Sequence, residues 1–164
     1  MSTSDFNPSP RESHGGTVFP EHACAIITCP DGRLLLELRP ATAKHAPDKL
    51  ACFGGKREGD EDADACIRRE LREELDWEPD TLHGAVDLRR GERFIARFRG
   101  CALPSGSVLR PYRGACAVRV PWSCLPALPL TPWHAAVLAA WASGNHVVEL
   151  PPNPPPTTPH PPPP

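Results

Sequence analysis

The feature that most constrains this fold is a pair of glycines, Gly54 and Gly55, that precedes a helix-forming segment rich in carboxylates. Glu70, Glu73 and Glu74 stand at positions i, i+3 and i+4 of this segment, so they project from one side of a helix. The apolar residues beside them form a neighbouring stripe: Ile67, Leu71 and Leu75. Carboxylates at the edge of a buried stripe are costly to desolvate unless a cation lies between them. The segment therefore predicts a site for a hard divalent cation with oxygen ligands.

The arginines of the same segment are expected on the far side of the helix, away from the carboxylates: Arg68, Arg69 and Arg72. The helix is predicted over residues 62–75, with Asp60 or Asp62 as the cap of its first turn. Gly54 and Gly55 are predicted to form a turn ahead of it, because glycine permits left-handed backbone conformations. Pro79 prevents the helix from continuing.

Apolar runs separated by turn residues predict the remaining elements. Strands are expected at residues 22–28, 33–38, 50–53, 84–88, 93–103 and 115–120. A second helix is expected at residues 131–143, because Thr131 can cap it, Pro132 suits its first position and Gly144 ends it. Turns at 30–32 and 104–106 and a polar loop at 41–49 join these elements. Strands that alternate with helices predict a mixed α/β sandwich.

The length of 164 residues is sufficient for one domain with a substantial core. Residues 1–18 are rich in Ser, Pro and Gly and are expected to be disordered, so the folded domain is predicted at 19–150. Residues 151–164 contain ten prolines and are expected to form an extended, solvated tail. This tail could dock into an aromatic groove of a partner, or it could be an extension without function.

The formal net charge of −2 hides an uneven distribution of charge. Residues 56–80 contain eleven acidic and five basic residues, whereas residues 81–164 contain three acidic residues and eight arginines. An acidic cluster beside an arginine-rich half suits a polyanionic substrate that is presented through a metal ion. Duplex nucleic acid is not expected as a partner, because proteins that bind it have a basic surface. The alternative is that these arginines are scattered, solvated side chains.

Other features of the sequence favour a cytoplasmic protein that is not bound to a membrane. The seven cysteines are an odd number without CxxC spacing, so they are expected to be reduced thiols rather than disulfides or zinc ligands. Residues 1–20 lack the basic start and apolar run of a secretory signal, and no apolar stretch is long enough to cross a bilayer. The motifs of serine-triad hydrolases and P-loop enzymes are missing. The seven histidines show no ligand spacing, and none is assigned to a site.

The carboxylate-rich segment resembles, in order and spacing, the sequence box of the Nudix hydrolases. That box reads G, five residues, E, seven residues and R-E-U-x-E-E-x-G-U, where U is apolar. The matching residues are Gly55, Glu61, Arg69, Glu70, Leu71, Glu73, Glu74 and Trp77. Asp76 replaces the last glycine, which ends the helix in a left-handed conformation that costs Asp about 1 kcal/mol. The box spans residues 55–77, and outside it the resemblance is architectural.

The resemblance implies an α/β fold, namely an α/β/α sandwich with a mixed sheet, and hydrolysis of a phosphoanhydride bond in a nucleoside diphosphate derivative. It implies Mg²⁺ as the cofactor, with Mn²⁺ as a substitute. By the same resemblance Glu70 and Glu74 are direct metal ligands, and the carbonyl of Gly54 completes the shell. Glu73 is a further ligand or holds a water of that shell.

The resemblance leaves the identity of the general base open. The candidates are Glu70 and Glu73 within the box, and Glu92 and Asp87 outside it. Arg69 is counted with the catalytic residues and is expected to pair with Glu61. This pair has a structural role as well, because it braces the loop against the helix.

Substrate contacts are expected at Gly55, whose backbone can approach phosphates closely, and at Arg39. Arg39 follows a strand at the place where many Nudix proteins have a substrate-contacting arginine. Phe53 replaces the proline that often precedes the glycine pair, and its ring is expected in the core. Three tryptophans could stack on a nucleobase, although aromatic residues at such positions are more often core: Trp122, Trp133 and Trp141.

The preferred substrates are nucleoside triphosphates, including those of oxidised purines, because the chain is short and shows no additional domain. They would be cleaved to a monophosphate and pyrophosphate. Hydrolysis of ADP-ribose or of a nucleotide sugar is the second possibility, and a non-catalytic, Nudix-like nucleotide-binding module is the third. The sequence gives no indication of the oligomeric state.

Overall fold

The computed structural model describes residues 18–112 and 116–152, and in these residues one mixed β-sheet lies between two α-helices. The strands are β1 (His22–Thr28), β2 (Leu34–Leu38), β3 (Leu50–Ala51), β4 (Gly54–Lys56), β5 (His83–Arg90), β6 (Arg93–Ala102), β7 (Cys116–Val120) and β8 (Val147–Glu149). Helix α1 (Ala63–Leu75) packs on one face and helix α2 (Pro132–Ala142) on the other. A short 3₁₀ helix, Trp122–Ala127, precedes α2. This architecture is the predicted α/β/α sandwich.

The path of β1 explains how the glycine pair reaches the interior of the sheet. The strands lie in the order β3-β2-β1-β6-β5-β8, with β4 beside β1 and β7 beside β2. One edge of β1 pairs in parallel with β6 along the whole strand. On the other edge only two residues pair with β2, whereas Ala23 and Cys24 pair with Gly55 and Gly54 of β4. The glycine pair therefore occupies the place that β2 leaves open beside β1.

Alternate residues of β1 face opposite helices, and both sets are apolar. Ala23, Ala25 and Ile27 pack in one cluster with α1, whereas Cys24 and Ile26 pack in a second cluster with α2. A strand between two helical layers has no side that faces solvent. This is why its residues form one continuous apolar run rather than an alternating pattern.

Most of the predicted elements are confirmed. The first strand has the predicted bounds, and four further strands differ from prediction by at most two residues at either end: β2, β5, β6 and β7. Residue 115, where the last of these was predicted to begin, lies outside the described residues. Residues 1–17 and 153–164 also lie outside them, so the disordered terminus and the proline-rich tail stay predictions.

Four elements of the structure differ from the sequence prediction. Gly54 and Gly55 lie in a strand rather than in a turn, and the strand before them is limited to Leu50–Ala51. Glycine gives no strand signal because it has no side chain to pack, so such a strand is visible only from its partner. The 3₁₀ helix and β8 were not expected. β8 has three residues and depends on pairing with β5, which a local pattern cannot show.

The ends of α1 follow the predicted capping. The side chain of Asp62 accepts a hydrogen bond from the N–H of Ala65 at 2.8 Å, which confirms it as the N-cap. Asp76 ends the helix in the left-handed conformation, with φ 53° and ψ 38°. Thr131 precedes α2 at the N-cap position, but its side chain makes no capping hydrogen bond. Gly144, with φ 72°, follows that helix as predicted.

The cysteines are free thiols, as predicted. All seven cysteines lie in described residues and are unpaired; five of them are buried, and Cys116 and Cys124 are exposed. In residues 18–112 and 116–152 no helix combines the length and the apolar composition that spanning a bilayer requires.

Restoring glycine at position 76 should stabilise the fold. Asp76→Gly is expected to raise the free energy of unfolding by about 1 kcal/mol, because glycine adopts the left-handed conformation without steric cost. Urea denaturation monitored by circular dichroism measures this change. Asp76→Asn is the control, because it removes the charge that contacts Arg110 at 3.4 Å but keeps a side chain at this position. An Asp76→Gly variant no more stable than the wild type would contradict the explanation.

Candidate active site

The contact between α1 and β4 brings the carboxylate of Glu70 directly onto Gly55. A methyl group at Gly55 would lie within 2.7 Å of both carboxylate oxygens, so only glycine leaves room for Glu70 in this position. The φ of Gly55 is not positive, so its predicted left-handed turn is wrong. The requirement for glycine here comes from close packing.

Gly54 is required for a different contact. Its φ is 137°, and a methyl group there would overlap the carbonyl oxygen of Ala23 and lie 2.6 Å from Cα of Cys24. Its N–H donates to Oε2 of Glu74 at 3.2 Å. Gly54 therefore packs against the backbone of β1 while it holds the second carboxylate of α1.

Burial makes these two carboxylates costly to ionise. Burial, assisted by the negative charges of Glu37 and Glu70, raises the pKa of Glu74 to about 8. Burial also raises the pKa of Glu70, and the hydrogen bond from Arg69 opposes this effect. A divalent cation between the carboxylates would offset both the desolvation and the mutual repulsion. The electrostatics therefore fit a cation site.

Glu37 is a third carboxylate of this group, and the sequence reasoning missed it. It lies on β2 with a side chain that is only 13% exposed, and its charge acts on Glu74. Arg39 contacts it at 3.4 Å. The available signal was one charged residue in the apolar run Leu34–Leu38, since acidic residues are seldom buried without a partner.

Arg69 lies among the carboxylates, so the prediction that it points away from them is wrong. Its guanidinium makes two hydrogen bonds to Glu61, at 2.8 and 3.1 Å, which confirms the expected pair. It also donates to Glu70 at 2.8 Å and to Glu73 at 3.4 Å. The side chain is long enough to turn back toward the loop, so its Cα position does not determine where its charge lies. Arg69 thereby connects that loop to the acidic face of α1.

Glu73 differs from its two neighbours in exposure. Its side chain is 60% exposed, and Arg69 contacts it at 3.4 Å. The hydrogen bonds from Arg69 lower the pKa of Glu61 to about 2. Glu61 is therefore a fixed negative charge that orients Arg69, while the carboxylate of Glu73 is open to solvent beside the same guanidinium.

A cavity of about 600 Å³ adjoins the glycine pair on the face of the sheet that α2 covers. Its apolar lining includes Cys24, Cys52, Leu88, Ile95 and Phe98. Arg39 lies at this cavity together with Gly54 and Gly55, and its Nε donates to the backbone carbonyl of His45 at 2.9 Å. The structure thus brings the predicted substrate residues to one cavity, and the backbone of β4 separates it from the carboxylates.

Three histidines line this cavity, although none was assigned to a site from the sequence: His22, His45 and His134. They come from a strand, a loop and a helix, so no sequence spacing relates them. Among the tryptophans, Trp133 lines the cavity and is 41% exposed. Trp122 and Trp141 pack against the core on the α2 side, as expected.

The two candidates for the general base outside the box, Asp87 and Glu92, have surroundings that differ from those of the box carboxylates on α1. Both carboxylate oxygens of Asp87 accept hydrogen bonds from Arg97, at 2.7 and 2.8 Å. Glu92 is exposed in the turn that joins β5 and β6. The ring of Phe53 is fully buried in the cluster that packs on α1, which confirms its expected place in the core.

The donor atoms present suit a hard cation, although they are not assembled into a complete metal shell. In the part of the chain that the structure describes, no three His, Cys, Asp or Glu side chains form a metal-binding group. Mg²⁺ does not require such a group, because it keeps several waters and commonly binds through one or two carboxylates and a substrate phosphate. Glu70 and Glu74 supply two half-buried carboxylates on one side of α1, and they therefore fit this mode of binding.

A comparison with protein families assigns most of the chain to one family. The model of the NUDIX domain family matches residues 18–139 of the chain. This chain belongs to the Nudix family. No curated protein sequence matches it. As a Nudix pyrophosphohydrolase, it is an enzyme of the class that acts on nucleoside diphosphate derivatives.

Solved Nudix structures share the fold. The MutT Nudix hydrolase from Burkholderia pseudomallei is 25% identical, with a TM-score of 0.56 over 72% of this chain and 94% of its own. A MutT protein from Methanosarcina mazei Go1 is 19% identical, with a TM-score of 0.62 over 75% and 92%. The Nudix domain of Shewanella oneidensis NrtR, solved with ADP ribose, is 14% identical, with a TM-score of 0.55 over 77% and 88%.

The two glycines should respond differently to the same substitution. Gly55→Ala places a methyl group against the flexible end of Glu70, so the carboxylate is expected to move while the fold persists. Because displacement by about 1 Å can reduce the rate about 100-fold, hydrolysis of the best nucleotide substrate should fall by about that factor. Thermal denaturation should change little, and Lys56→Ala, which alters the exposed neighbour, serves as the activity control.

Gly54→Ala places the methyl group against the backbone of β1, which cannot move independently. It is expected to lower the free energy of unfolding by about 2–3 kcal/mol, as judged by urea denaturation. If both variants were equally stable and equally active, the close contacts at the glycine pair would not have the roles assigned to them.

Proposed function

We propose that this Nudix protein hydrolyses nucleoside triphosphates to a nucleoside monophosphate and pyrophosphate, with Mg²⁺ or Mn²⁺ held by Glu70 and Glu74. The observation that carries the proposal is the contact of both carboxylates with the glycine pair, whose other side borders a cavity large enough for a nucleoside. The polyphosphate would lie along the backbone of Gly54 and Gly55, between the cavity and the carboxylates.

The residues around the phosphates would have different roles. A bound divalent ion would neutralise phosphate charge and lower the pKa of the attacking water. Glu70 and Glu74 would hold that ion, and the carbonyl of Gly54 would complete its shell. Arg69 would keep Glu70 in place through its hydrogen bond at 2.8 Å. Arg39, at the edge of the cavity, would bind a phosphate oxygen.

The proton of the attacking water would pass to a carboxylate of α1. Glu70 and Glu73 both remain candidates for this role. Glu70 is held against Gly55, and Glu73 is exposed beside Arg69. Asp87 is unsuited to it, because Arg97 occupies both of its oxygens.

A second candidate function is hydrolysis of ADP-ribose or of a nucleotide sugar. The Shewanella domain that shares this fold was solved with ADP ribose, and the cavity volume also admits a nucleoside diphosphate derivative of this kind. A non-catalytic binding module, in contrast, is disfavoured because all three carboxylates of the box are present on α1.

A substrate panel tests the proposal. The protein would be incubated with nucleoside triphosphates, oxidised purine triphosphates, ADP-ribose and nucleotide sugars, in the presence of Mg²⁺, Mn²⁺ or EDTA. Phosphate would be measured after coupling to pyrophosphatase or to phosphatase in separate reactions. The proposal is supported if phosphate is released from a triphosphate only when both pyrophosphatase and the metal ion are present. Release only from ADP-ribose or a nucleotide sugar would favour the second candidate, and no release with any nucleotide would favour a binding module.

Replacing either half-buried carboxylate by an amide should abolish turnover. Glu70→Gln and Glu74→Gln are each expected to reduce the rate with the best substrate by more than about 100-fold, because an ion held by few protein ligands loses one of them. Both variants should keep the fold, since glutamine has nearly the same volume. Glu78→Gln is the matched control, because Glu78 lies beyond the end of α1 and pairs with Arg72. Full activity of both buried-site variants in Mg²⁺ would contradict the assignment.

A further inference from the structure

We infer that His134 selects the nucleobase by donating its Nε2–H to a ring carbonyl, at O6 of a purine or O4 of a pyrimidine. The inference rests on the proposed function, because it requires that the cavity beside the glycine pair receives the base of a nucleotide. His134 is the third residue of α2 and one of the residues that line this cavity.

The hydrogen bond to the backbone determines which nitrogen of His134 carries the proton. The N–H of Cys52 donates to Nδ1 of His134 at 2.9 Å. A backbone N–H can only donate, so Nδ1 must present its lone pair, and in the neutral ring the proton is on Nε2. In the described residues, the N–H of Cys52 is the single hydrogen-bond partner of this imidazole. The Nε2–H is therefore available to a ligand.

The position and the neutral state of the ring are also fixed. Phe98 packs edge-on against it, with 5.1 Å between the ring centroids and an angle of 87° between the planes. Burial, assisted by the positive charges of Arg39 and His22, lowers the pKa of His134 to about 4. At neutral pH the side chain therefore presents one donor and no charge. Protonation would remove the acceptor that the N–H of Cys52 requires.

A fixed donor at one position of the cavity distinguishes bases by the group that each base presents to it. Cys24, Leu88 and Phe98 are among the apolar side chains that line the cavity. Its lining also carries polar side chains besides His134: Arg39, His22, His45 and Thr131. A base carbonyl pairs with Nε2–H, whereas an exocyclic amino group at the same position places a second donor opposite the first. Hypoxanthine, guanine and uracil would therefore be accepted, and adenine and cytosine disfavoured, because their amino group faces the donor of His134 rather than an acceptor.

The test removes each partner of the proposed hydrogen bond in turn. On the substrate, inosine triphosphate is compared with purine riboside triphosphate, which lacks O6. On the protein, His134→Asn keeps an acceptor for the N–H of Cys52 through its amide oxygen but lacks the distal donor. His146→Asn is the matched control, since His146 is exposed and does not line the cavity. The measured quantity is the ratio of kcat/KM between the two substrates for each protein.

The wild type and His146→Asn are expected to prefer inosine triphosphate by about 10–100-fold, and His134→Asn by less than about threefold. His134→Asn should hydrolyse purine riboside triphosphate as fast as the wild type, which separates a lost contact from general damage to the site. The same ratio in wild type and His134→Asn would overturn the inference.

The wild-type arm keeps the test decisive if His134→Asn fails to fold. A wild type that does not distinguish inosine triphosphate from purine riboside triphosphate overturns the inference without any variant. Preference for ATP over inosine triphosphate, or for CTP over UTP, also overturns it. These results differ from failure of the proposed function, in which the wild type releases no pyrophosphate from any triphosphate and the inference falls with it.

Discussion

The candidate site depends on a steric constraint at one point of the sheet. Helix α1 can place a carboxylate on β4 only where the strand has no side chain, and Gly55 provides this space for Glu70. Gly54 meets a second requirement, because β4 must approach the backbone of β1 closely enough to pair with it. Arg69 then fixes the spacing of the acidic groups through its contacts with Glu61 and Glu70. Packing at the glycine pair thus determines where the carboxylates lie, despite the electrostatic cost of removing them from water.

The alternation of side chains in the sheet separates two parts of the site. Glu70 and Glu74 approach β4 from α1, whereas the cavity lies on the α2 side and is lined by residues such as Cys24 and Phe98. If β4 carried side chains at these positions, a further layer of atoms would lie between the carboxylates and the cavity. At the glycine pair only backbone lies between them, so a polyphosphate along β4 could reach the carboxylates while its nucleoside occupies the cavity. In this arrangement the reaction and the selection of the base depend on different elements.

The sequence predicts the parts of this arrangement that have a local pattern. Helix α1, its cap Asp62 and the position of Asp76 follow from periodicity and capping, which involve residues a few positions apart. The roles of Glu37 and His134 cannot be predicted from such local patterns, because their relation to the site depends on how distant elements pair. His134 meets a backbone N–H that lies 82 residues before it, and no spacing indicates this. The predicted direction of the Arg69 side chain was wrong, because helical projection gives only the position of its Cα. The long side chain determines where the guanidinium makes its contacts.

A divalent ion is proposed to bind where α1 meets the glycine pair, and Mn²⁺ allows a direct measurement of its position. Amide resonances of ¹⁵N-labelled protein would be recorded while substoichiometric Mn²⁺ is added, because this paramagnetic ion broadens the signals of nearby nuclei. The account predicts that the amides of Gly54, Gly55 and Glu74 broaden first, whereas that of Gly106, in the turn after β6, stays sharp. Broadening that begins elsewhere, or that affects all amides alike, would contradict the assignment of the metal site.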